Sequence, residues 1–382
     1  MSAQRSEGSG ARAAVAAALE RTAELPYERA WSMPSAFYTD PAILALERER
    51  LFGQEWLCVG RREEVARPGD YMALELCDEP VVVIHGLDGV LRAFANVCRH
   101  RGMPIARGKG HGKGLMCPYH HWTYDTAGRL MSTPRLGPRP DFDAGACHLP
   151  QLPLEQWQGF LFVSLASAPA PLAPRLAALE SVVRPYHLEL NEVRYLADEV
   201  WATNWKNLLE NFMEGYHLSA LHHETLHKVN PTRLCRHLPP GEAYFGYFAG
   251  FNPELPRVQK GHPDLTDQQR DDCVMFAVPP GFAVGCAADY SSFMCIQPES
   301  VDRVRMKLGL IFYGSEWPPE SVTRAVELYQ QTMAEDKTIL VGLAQGLRSR
   351  HYERGPLAGA ALEGPVWDFY RYLNRTLGPG LR

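Results

Sequence analysis

Two short segments, each combining one cysteine with one histidine, constrain this chain more than any other feature of its sequence. The first reads Cys98-x-His100 and the second reads Cys117-x-x-His120. Two thiolates and two imidazoles are the donor set of a soft metal, and they reach one centre only if both segments lie side by side. The sequence therefore predicts a metal-holding pair of loops, with zinc and an iron–sulfur cluster as rival occupants.

The surroundings of these segments favour iron and sulfur over zinc. Each segment supplies one thiolate and one imidazole from a glycine-rich, β-type loop, whereas the two-Cys, two-His zinc finger carries both histidines on one helix. When two histidines replace two cysteines on one iron of a [2Fe-2S] cluster, the reduction potential rises to between about −150 and +300 mV from roughly −400 mV. A cluster of this kind accepts electrons from a ferredoxin-like donor.

The residues around both pairs carry a family resemblance. CRHRG followed by CPYHHW is similar to the cluster-binding signature of Rieske proteins, and it departs from that signature at His121, where glycine is common. His121 competes with His120 as a ligand, but the x-x spacing favours His120. His111, in the intervening KGHGKG, is expected to be an exposed loop histidine.

The composition argues against several classes of function. A net charge of −5 over 382 residues gives no basic surface of the kind that nucleic acids bind. No run of about 18 apolar residues is present, so no membrane span is predicted and the chain is expected to be soluble. Nine cysteines at irregular spacing are not typical of a disulfide framework, which favours a reducing compartment such as the cytoplasm.

Turn and strand signals divide the chain into three parts. These are an N-terminal arm and helix at 1–45, a Rieske-type domain at 46–165 and a larger domain at 166–382. The boundary before the larger domain is predicted from the proline-rich stretch 165–176, because clustered prolines suit neither helix interiors nor central strands.

Short β runs with turn residues between them dominate the middle part. Val81–Ile84 and Val90–Ala95 flank the turn HGLDG as a hairpin, and Tyr124–Gly128 closes a second hairpin. This part is therefore predicted to be a small all-β domain.

The larger domain mixes helical and β patterns. A helix is predicted near 204–217, irregular chain from there to about 272, and a long helix from about Glu320 to Leu347. Strands are predicted at 273–278, 282–287, 292–297 and 303–313. These elements predict an antiparallel sheet covered by helices, so the predicted fold class is α+β.

A second set of candidate ligands lies in the segment TNWKNLLENFMEGYHLSALHHETLH, with Asn204 as the predicted N-cap. Apolar residues recur there at helical spacing as a core-facing stripe: Trp205, Leu208, Leu209, Phe212 and Tyr216. A neighbouring face, of the kind that is usually solvated, carries Asn207, Glu210, Glu214 and His217. His217 and His222 lie about 140° apart around a regular helix, so they share a metal only if the helix ends or distorts between them.

A carboxylate that fits the same site lies on the long C-terminal helix. The apolar positions of that helix step by three and four residues through Val322, Ala325, Tyr329, Met333, Leu340, Leu343 and Leu347. Asp336 falls in this register, while Glu335 falls on the polar side with Gln331 and Thr338. A core-facing carboxylate is costly unless it meets a cation or a metal. With His217 and His222 it completes a 2-His-1-carboxylate triad, whose open positions admit O2 at Fe(II).

The chain resembles the Rieske oxygenases from about Phe52 to Phe369. In that family a segment similar to ENxxExYH carries the first iron histidine, and a second histidine follows after four residues. The matching residues here are Glu210, Asn211, Glu214, Tyr216, His217 and His222. The family's late aspartate ligand matches Asp336. His223, Glu224 and His227 are left as loop or supporting residues.

The resemblance also implies an electron route. Glu214 matches the family's bridging carboxylate, which links the mononuclear iron to a cluster histidine of the neighbouring subunit, and that histidine is His120 here. A homotrimer is implied, together with electrons from NAD(P)H through a separate reductase of ferredoxin or flavin type. In keeping with this, the sequence has no Gly-rich dinucleotide fingerprint. An accompanying small β subunit is left open.

In having glutamate at the bridging position, the chain resembles the oxygenases that act on quaternary ammonium compounds such as choline, glycine betaine, carnitine and stachydrine. The expected reaction is therefore C–H hydroxylation or N-demethylation of a small quaternary or tertiary amine. Candidate cation–π partners, with ordinary core positions as the alternative, are Tyr244, Phe245, Tyr247, Phe248, Phe251, Tyr290 and Phe293. Arg233 or Arg236 is a candidate partner for a substrate carboxylate.

Two other functions stay open at this point. The first is hydroxylation or O-demethylation of an aromatic compound or aromatic acid. The second, from a different class, is a non-catalytic electron carrier or a zinc-stabilised binding module.

Overall fold

The computed structural model describes residues 2–381, with side chains from Gly10 onwards, and the chain forms two compact units. The first unit is Phe52–Ala170. The second joins the residues up to Leu51 with those from Pro171 onwards. Within residues 2–381, no helix combines the length and the apolarity that crossing a membrane requires.

The first unit consists mainly of short antiparallel strands, as predicted. They are β1 (Trp56–Arg61), β2 (Asp70–Leu76), β3 (Glu79–His85), β4 (Leu91–Ala95), β5 (Lys109–His111), β6 (Gly114–Met116), β7 (Thr123–Asp125), β8 (Leu130–Ser132), β9 (Gln151–Leu152), β10 (Leu154–Trp157) and β11 (Phe160–Ser164). Their orders in the sheets are β1-β11-β10, β5-β2-β3-β4-β9 and β6-β7-β8.

Both hairpins predicted in this unit are present. Strand β3 pairs with β4 across a turn in which Gly89 has a φ of +81°. Strand β7 pairs with β8, and the Asp125 carboxylate closes their turn by accepting two backbone hydrogen bonds of 2.9 Å. Gly128 in this turn has a φ of +78°, and a Cβ there would lie 2.5 Å from the Phe94 ring. Glycine is therefore required at this position by both conformation and space.

The second unit is built on one antiparallel sheet. Its strands are β12 (Asn191–Trp201), β13 (Cys235–Leu238), β14 (Phe245–Gly250), β15 (Asp272–Val278), β16 (Phe282–Cys286), β17 (Tyr290–Ser300) and β18 (Arg303–Tyr313). Their order is β12-β18-β17-β16-β15-β14-β13, a meander with β12 added beside β18. The four strands predicted from the sequence are β15 to β18.

The prediction of irregular chain up to residue 272 is wrong, because β13 and β14 lie within that stretch. Strand β14 is buried along almost its whole length, with only Phe248 partly accessible. A strand with two buried faces lacks the alternation of apolar and polar residues by which strands are recognised in a sequence.

The helices of the second unit are α1 (Ser2–Glu24), α2 (Ala36–Thr39), α3 (Pro41–Glu47), α4 (Leu172–Arg175), α5 (Ala177–Val183), α6 (Trp205–Phe212), α7 (Leu226–Val229), α8 (Asp267–Arg270), α9 (Pro319–Gly346) and α10 (Ala360–Leu381). Helix α1 packs against α10. Helix α9 has the length predicted for it and packs against β12 and α6. One position of its predicted stripe is wrong, since Leu343 is 43% exposed.

Helix α6 is shorter than predicted and is fixed at its start by buried polar contacts. The side chain of Asn204 caps the helix, accepting a hydrogen bond of 3.0 Å from the Lys206 backbone N–H. The Lys206 ammonium lies 2.6 Å from the Glu47 carboxylate of α3, and both side chains are fully buried. Trp205 donates its indole N–H to the same carboxylate at 2.7 Å. This network holds the helix that leads into the candidate iron site.

Replacing Lys206 by Met is expected to lower the free energy of unfolding by about 3–5 kcal/mol, because it leaves the Glu47 carboxylate buried without a cation. Urea unfolding followed by circular dichroism measures the loss. Arg348→Met is the matched control, since it breaks an exposed ion pair with Asp302 and should cost less than about 1 kcal/mol. Equal losses in the two variants would contradict the assignment of a structural role to the buried pair.

Candidate functional site

The two Cys-His segments lie on equivalent loops of the first unit. Cys98 and His100 follow β4, and Cys117 and His120 lie between β6 and β7. In each loop the cysteine carbonyl accepts a hydrogen bond from the backbone N–H four residues later, at 2.9 Å from Gly102 and 3.0 Å from His121. The two loops therefore present their cysteines in the same local conformation.

His121 is the residue where the sequence departs from the Rieske signature, and its backbone explains why glycine is common there. Its φ is +59°, in the left-handed region, and the equivalent Gly102 of the other loop has a φ of +77°. The His121 side chain points to solvent. Glycine adopts this conformation without cost, whereas histidine adopts it with some strain.

The four candidate ligands come together between these loops. The thiols of Cys98 and Cys117 are both buried, and the rings of His100 and His120 lie 4.6 Å apart between centroids. Trp122 stacks on His100 at 4.9 Å. Two buried thiols and two neighbouring imidazoles are the donor set of a [2Fe-2S] cluster in which one iron takes histidine in place of cysteine.

The pKa of His120 and the lack of a hydrogen-bond partner for its Nδ1 within residues 2–381 fit such a cluster. Burial, followed by the charges of His100 and Arg101, lowers the pKa of His120, which keeps the ring neutral and able to bind a metal. Its Nδ1 is buried and has no hydrogen-bond partner within residues 2–381. A buried ring nitrogen without a partner is costly unless a metal takes that place.

A second pair of segments brings His217, His222 and Asp336 together in the second unit. Helix α6 ends at Phe212, and both histidines lie in the loop that follows it, so the helix ends before them as their spacing requires. Asp336 lies on the buried face of α9, which packs against α6. The ligand atoms of the three residues lie within 4.8 Å of one another.

The distances within this trio are those of an open metal site. Asp336 Oδ1 lies 3.2 Å from His222 Nε2 and 3.9 Å from His217 Nε2. The contact with His222 Nε2 lacks the geometry of a hydrogen bond, and that nitrogen is buried without a partner in residues 2–381. Asn211 donates its amide to Asp336 Oδ1 at 3.0 Å. Two imidazoles and one carboxylate with open positions suit non-haem Fe(II).

Carboxylates hold the far nitrogen of each histidine. His217 Nδ1 contacts the Glu214 carboxylate, which also accepts the backbone N–H of His217 at 3.2 Å. His222 Nδ1 lies 2.7 Å from Glu335 Oε2, and Thr225 donates its hydroxyl to the same oxygen at 2.7 Å. When Nδ1 is held in this way, the tautomer is fixed and Nε2 is free for the metal.

Glu335 lies beside Gln331 on the polar side of α9, as predicted, and it also holds His222. Two predictions about these segments need correction. Asn207 and Glu210 do not form a solvated face, since Asn207 is buried and burial raises the pKa of Glu210 to about 8. Tyr216 does not face the core and is 58% exposed, because α6 has already ended there.

Contacts between segments far apart in the chain are not predicted by the sequence patterns. Periodicity assigns residues to faces of a helix but not to partners, and Glu335 finds its partner in a loop 113 residues earlier. Asn211 is identified from the sequence only because it matches the ENxxExYH segment of the Rieske oxygenases.

The trio opens into a cavity of about 640 Å³, which all three residues line. Most of its walls are apolar, and they include Leu208, Phe212, Leu218, Leu226, Met275, Met294 and Leu310. A cavity of this size is typical of a small-molecule site, and its apolar walls limit the access of water to the trio.

Only part of the predicted aromatic set lines this cavity. Tyr247, Phe251 and Tyr290 do, whereas Tyr244, Phe245 and Phe293 are core residues and Phe248 lies against Arg236. Neither Arg233 nor Arg236 lines the cavity, and Arg236 pairs with Asp272 at 2.8 Å. The arginines that do line it are Arg257 and Arg270.

Comparison with known proteins places this architecture in a family. Residues 55–153 match the Rieske [2Fe-2S] domain, and residues 179–378 match the ring hydroxylating alpha subunit, catalytic domain. The chain belongs to the ring-hydroxylating alpha-subunit family. Membership confirms the predicted oxidoreductase class, the Rieske cluster and the non-haem iron, and it argues against the zinc module and the non-catalytic carrier.

Two curated relatives and one solved structure illustrate the similarity. The chain is 39% identical over 219 residues to the glycine betaine monooxygenase oxygenase subunit of Chromohalobacter salexigens. The aligned region is 56% of this chain and 49% of that protein, so the match spans about half of the relative's length. It is 29% identical over 334 residues to the carnitine monooxygenase oxygenase subunit of Acinetobacter baumannii, and the aligned region is 85% of this chain and 87% of that protein. A quaternary ammonium Rieske monooxygenase has the same fold, with a TM-score of 0.80 and 23% identity over 93% of this chain and 99% of that one.

Replacing Tyr124 by Phe is expected to lower the reduction potential of the Rieske cluster. The Tyr124 hydroxyl lies 3.5 Å from Cys98 Sγ, and a hydrogen bond to a ligand sulfur stabilises the reduced, more negative cluster. Its loss should shift the potential by on the order of 60 mV. Redox titration followed by visible spectroscopy measures the shift. Tyr119→Phe, at an exposed residue of the second loop, should leave the potential unchanged, and an unchanged potential in Tyr124→Phe would refute the contact.

Replacing Glu335 by Gln is expected to weaken iron binding by about 10–100-fold, because the charge that supports the His222 ring is lost. Anaerobic titration of the iron-depleted protein with Fe(II) measures the affinity. Glu327→Gln, on an exposed part of α9, is the matched control and should bind iron like the wild type. Wild-type affinity in Glu335→Gln would mean that this carboxylate does not support the metal site.

Proposed function

We propose that this chain is the oxygenase component of an enzyme that hydroxylates the carbon next to nitrogen in a small quaternary or tertiary amine. Where that carbon is an N-methyl group, the product releases formaldehyde and the reaction is an N-demethylation. The observation that carries the proposal is the opening of His217, His222 and Asp336 into a largely apolar cavity with aromatic residues in its wall.

The choice of substrate class is supported by the relatives and by one residue. The two curated relatives act on glycine betaine and on carnitine, which are both quaternary ammonium compounds. Glutamate at position 214 is similar to the bridging residue of such enzymes. Tyr247, Phe251 and Tyr290 line the cavity, and aromatic rings attract a methylated ammonium group.

The ligand assignments belong to the same proposal. Cys98, His100, Cys117 and His120 hold the [2Fe-2S] cluster, and the trio of the second unit holds Fe(II). When bound, these groups supply stored electrons and the activation of O2.

The residues of the chain orient and isolate the reaction. Glu214 and Glu335 keep His217 and His222 in the tautomer that presents Nε2 to the metal. Asn211 fixes the Asp336 carboxylate. The apolar walls limit the entry of bulk water to the substrate.

With the cluster and the iron bound, electrons would pass between subunits of a homotrimer. A separate reductase would supply them from NAD(P)H, and His120 of one subunit would lie against Glu214 of the next. His120 Nδ1 is the buried nitrogen without a partner, so Nε2 remains for the contact with Glu214. A hydrogen-bonded carboxylate then joins the two metal sites. Nine cysteines at irregular spacing, which is not typical of a disulfide framework, support a cytoplasmic location.

Substrate-dependent O2 consumption with a surrogate reductase tests the proposed function. The chain is expected to consume O2 with quaternary or tertiary amines and to release formaldehyde from N-methyl compounds. A phenol or cis-diol from an aromatic panel, with no reaction of the amines, would overturn the substrate class.

At saturating Fe(II), which offsets any weakening of the His217 support, replacing Glu214 by Gln is expected to leave both metals bound while slowing the passage of electrons from cluster to iron by roughly 10–100-fold. In a single-turnover experiment, the chemically reduced enzyme is mixed with O2 and substrate, and reoxidation of the cluster is followed by its visible absorption. Glu224→Gln is the control, because Glu224 is exposed and forms ion pairs with the nearby side chains of His223 and Lys228. Reoxidation at the wild-type rate in Glu214→Gln would mean that the bridge is assigned wrongly.

A further inference from the structure

The charged residues that line the cavity can be accounted for one by one. Asp336 belongs to the iron trio. Arg257 binds Asp271 through two contacts of 2.6 and 2.8 Å, and Arg270 donates to three backbone carbonyls at 2.9 to 3.3 Å. Asp289 is different, because no cationic side chain within residues 2–381 pairs with it.

Asp289 is held in place by its backbone and leaves one carboxylate oxygen open. It lies in the turn between β16 and β17, where its carbonyl accepts a hydrogen bond of 2.9 Å from the Tyr313 backbone N–H. Its Oδ1 accepts the backbone N–H of Tyr290 at 2.9 Å. Burial raises the pKa of this carboxyl group, since the backbone N–H groups of Tyr290 and of Asp289 itself do not offset the loss of solvent. A largely buried carboxylate in this state is costly until a cation reaches it.

The surroundings of Asp289 favour one kind of cation. The Tyr290 ring beside it stacks on Phe312 at 5.1 Å with planes 19° apart, which fixes that ring in the wall. Cys273, whose pKa is raised by burial and by Asp289, lies against Met275 with 3.6 Å between the sulfur atoms. A small hydrated metal ion needs several oxygen ligands, which these side chains do not offer. A methylated ammonium group needs one diffuse negative charge and apolar or aromatic contacts.

We infer that Asp289 is the residue that recognises the positive charge of the substrate, with the Tyr290 ring beside it. The inference rests on the proposed function and makes it more specific, since it names the group that would distinguish an ammonium compound from a neutral compound of the same shape. The ammonium group would lie at the β16–β17 turn, in the same cavity as the iron trio.

Binding of two ligands of equal shape tests this inference. Glycine betaine carries a trimethylammonium group, and 3,3-dimethylbutanoate carries a tert-butyl group in its place. Isothermal calorimetry on the full chain with cluster and iron bound compares them in the wild type and in Asp289→Asn. The variant is expected to bind glycine betaine at least about tenfold more weakly and to bind the tert-butyl analogue as well as or better than the wild type does.

Asp289→Glu keeps the charge and should recover part of the preference for glycine betaine. Near-ultraviolet circular dichroism checks that both variants fold. If Asp289→Asn keeps the wild-type preference, or loses both ligands equally, the inference is overturned.

The two failures are distinguishable. If the wild type oxidises glycine betaine and Asp289→Asn binds it equally well, the recognition residue is wrong and the proposed function stands. If the wild type neither binds nor oxidises ammonium compounds but oxidises an aromatic substrate, the proposed function and the recognition residue fail together.

Discussion

Two imidazole rings, each held at Nδ1 by a carboxylate, are the constraint on which the catalytic site depends. A histidine ring has two nitrogens in a fixed relation, so holding one determines where the other points. Glu214 and Glu335 hold His217 and His222, and both Nε2 atoms then face Asp336. The end of α6 at Phe212 and the packing of α9 against α6 follow from this requirement, because a continuous helix would direct the two rings to different sides.

The loop that carries both histidines is tied to the rest of the unit by hydrogen bonds from Gly215 to Leu362 and between Ser219 and Thr232, and the helix before it is fixed as well. Helix α6 is capped by Asn204 and fixed to α3 through the buried pair of Lys206 and Glu47. Further along it, Glu210 accepts a hydrogen bond of 2.9 Å from the Tyr38 hydroxyl. A buried ion pair adds little to net stability, but the loss of one partner is expensive, and this makes the position of the helix specific. Precision at the iron site is obtained in this way from contacts that do not touch it.

The sequence predicts local features well and partnerships poorly. The hairpins of the first unit, the strands β15 to β18 and the length of α9 were predictable, because turn residues and apolar periodicity act over a few residues. The grouping of His217, His222 and Asp336 was predictable only by joining a chemical argument to a family resemblance. Glu335, Asn211 and Asp289 were not assigned from the residues, since their roles depend on neighbours far away in the chain. Strand β14 was missed because burial on both faces removes the alternating pattern.

The carboxylates around the catalytic cavity make the folded chain more stable with cations bound than without them. Asp336, Glu335 and Glu214 surround two histidines, and Asp289 lies in the wall of the same cavity without a cation. Each of these groups loses solvation on folding, so the empty site is the least stable form. A cation that binds only the folded chain stabilises it by about 2.7 kcal/mol when its concentration is a hundredfold above its dissociation constant. Iron bound at the trio and an ammonium group bound at Asp289 would therefore act in the same direction, whereas an anionic substrate without a positive group would leave the Asp289 carboxylate uncompensated.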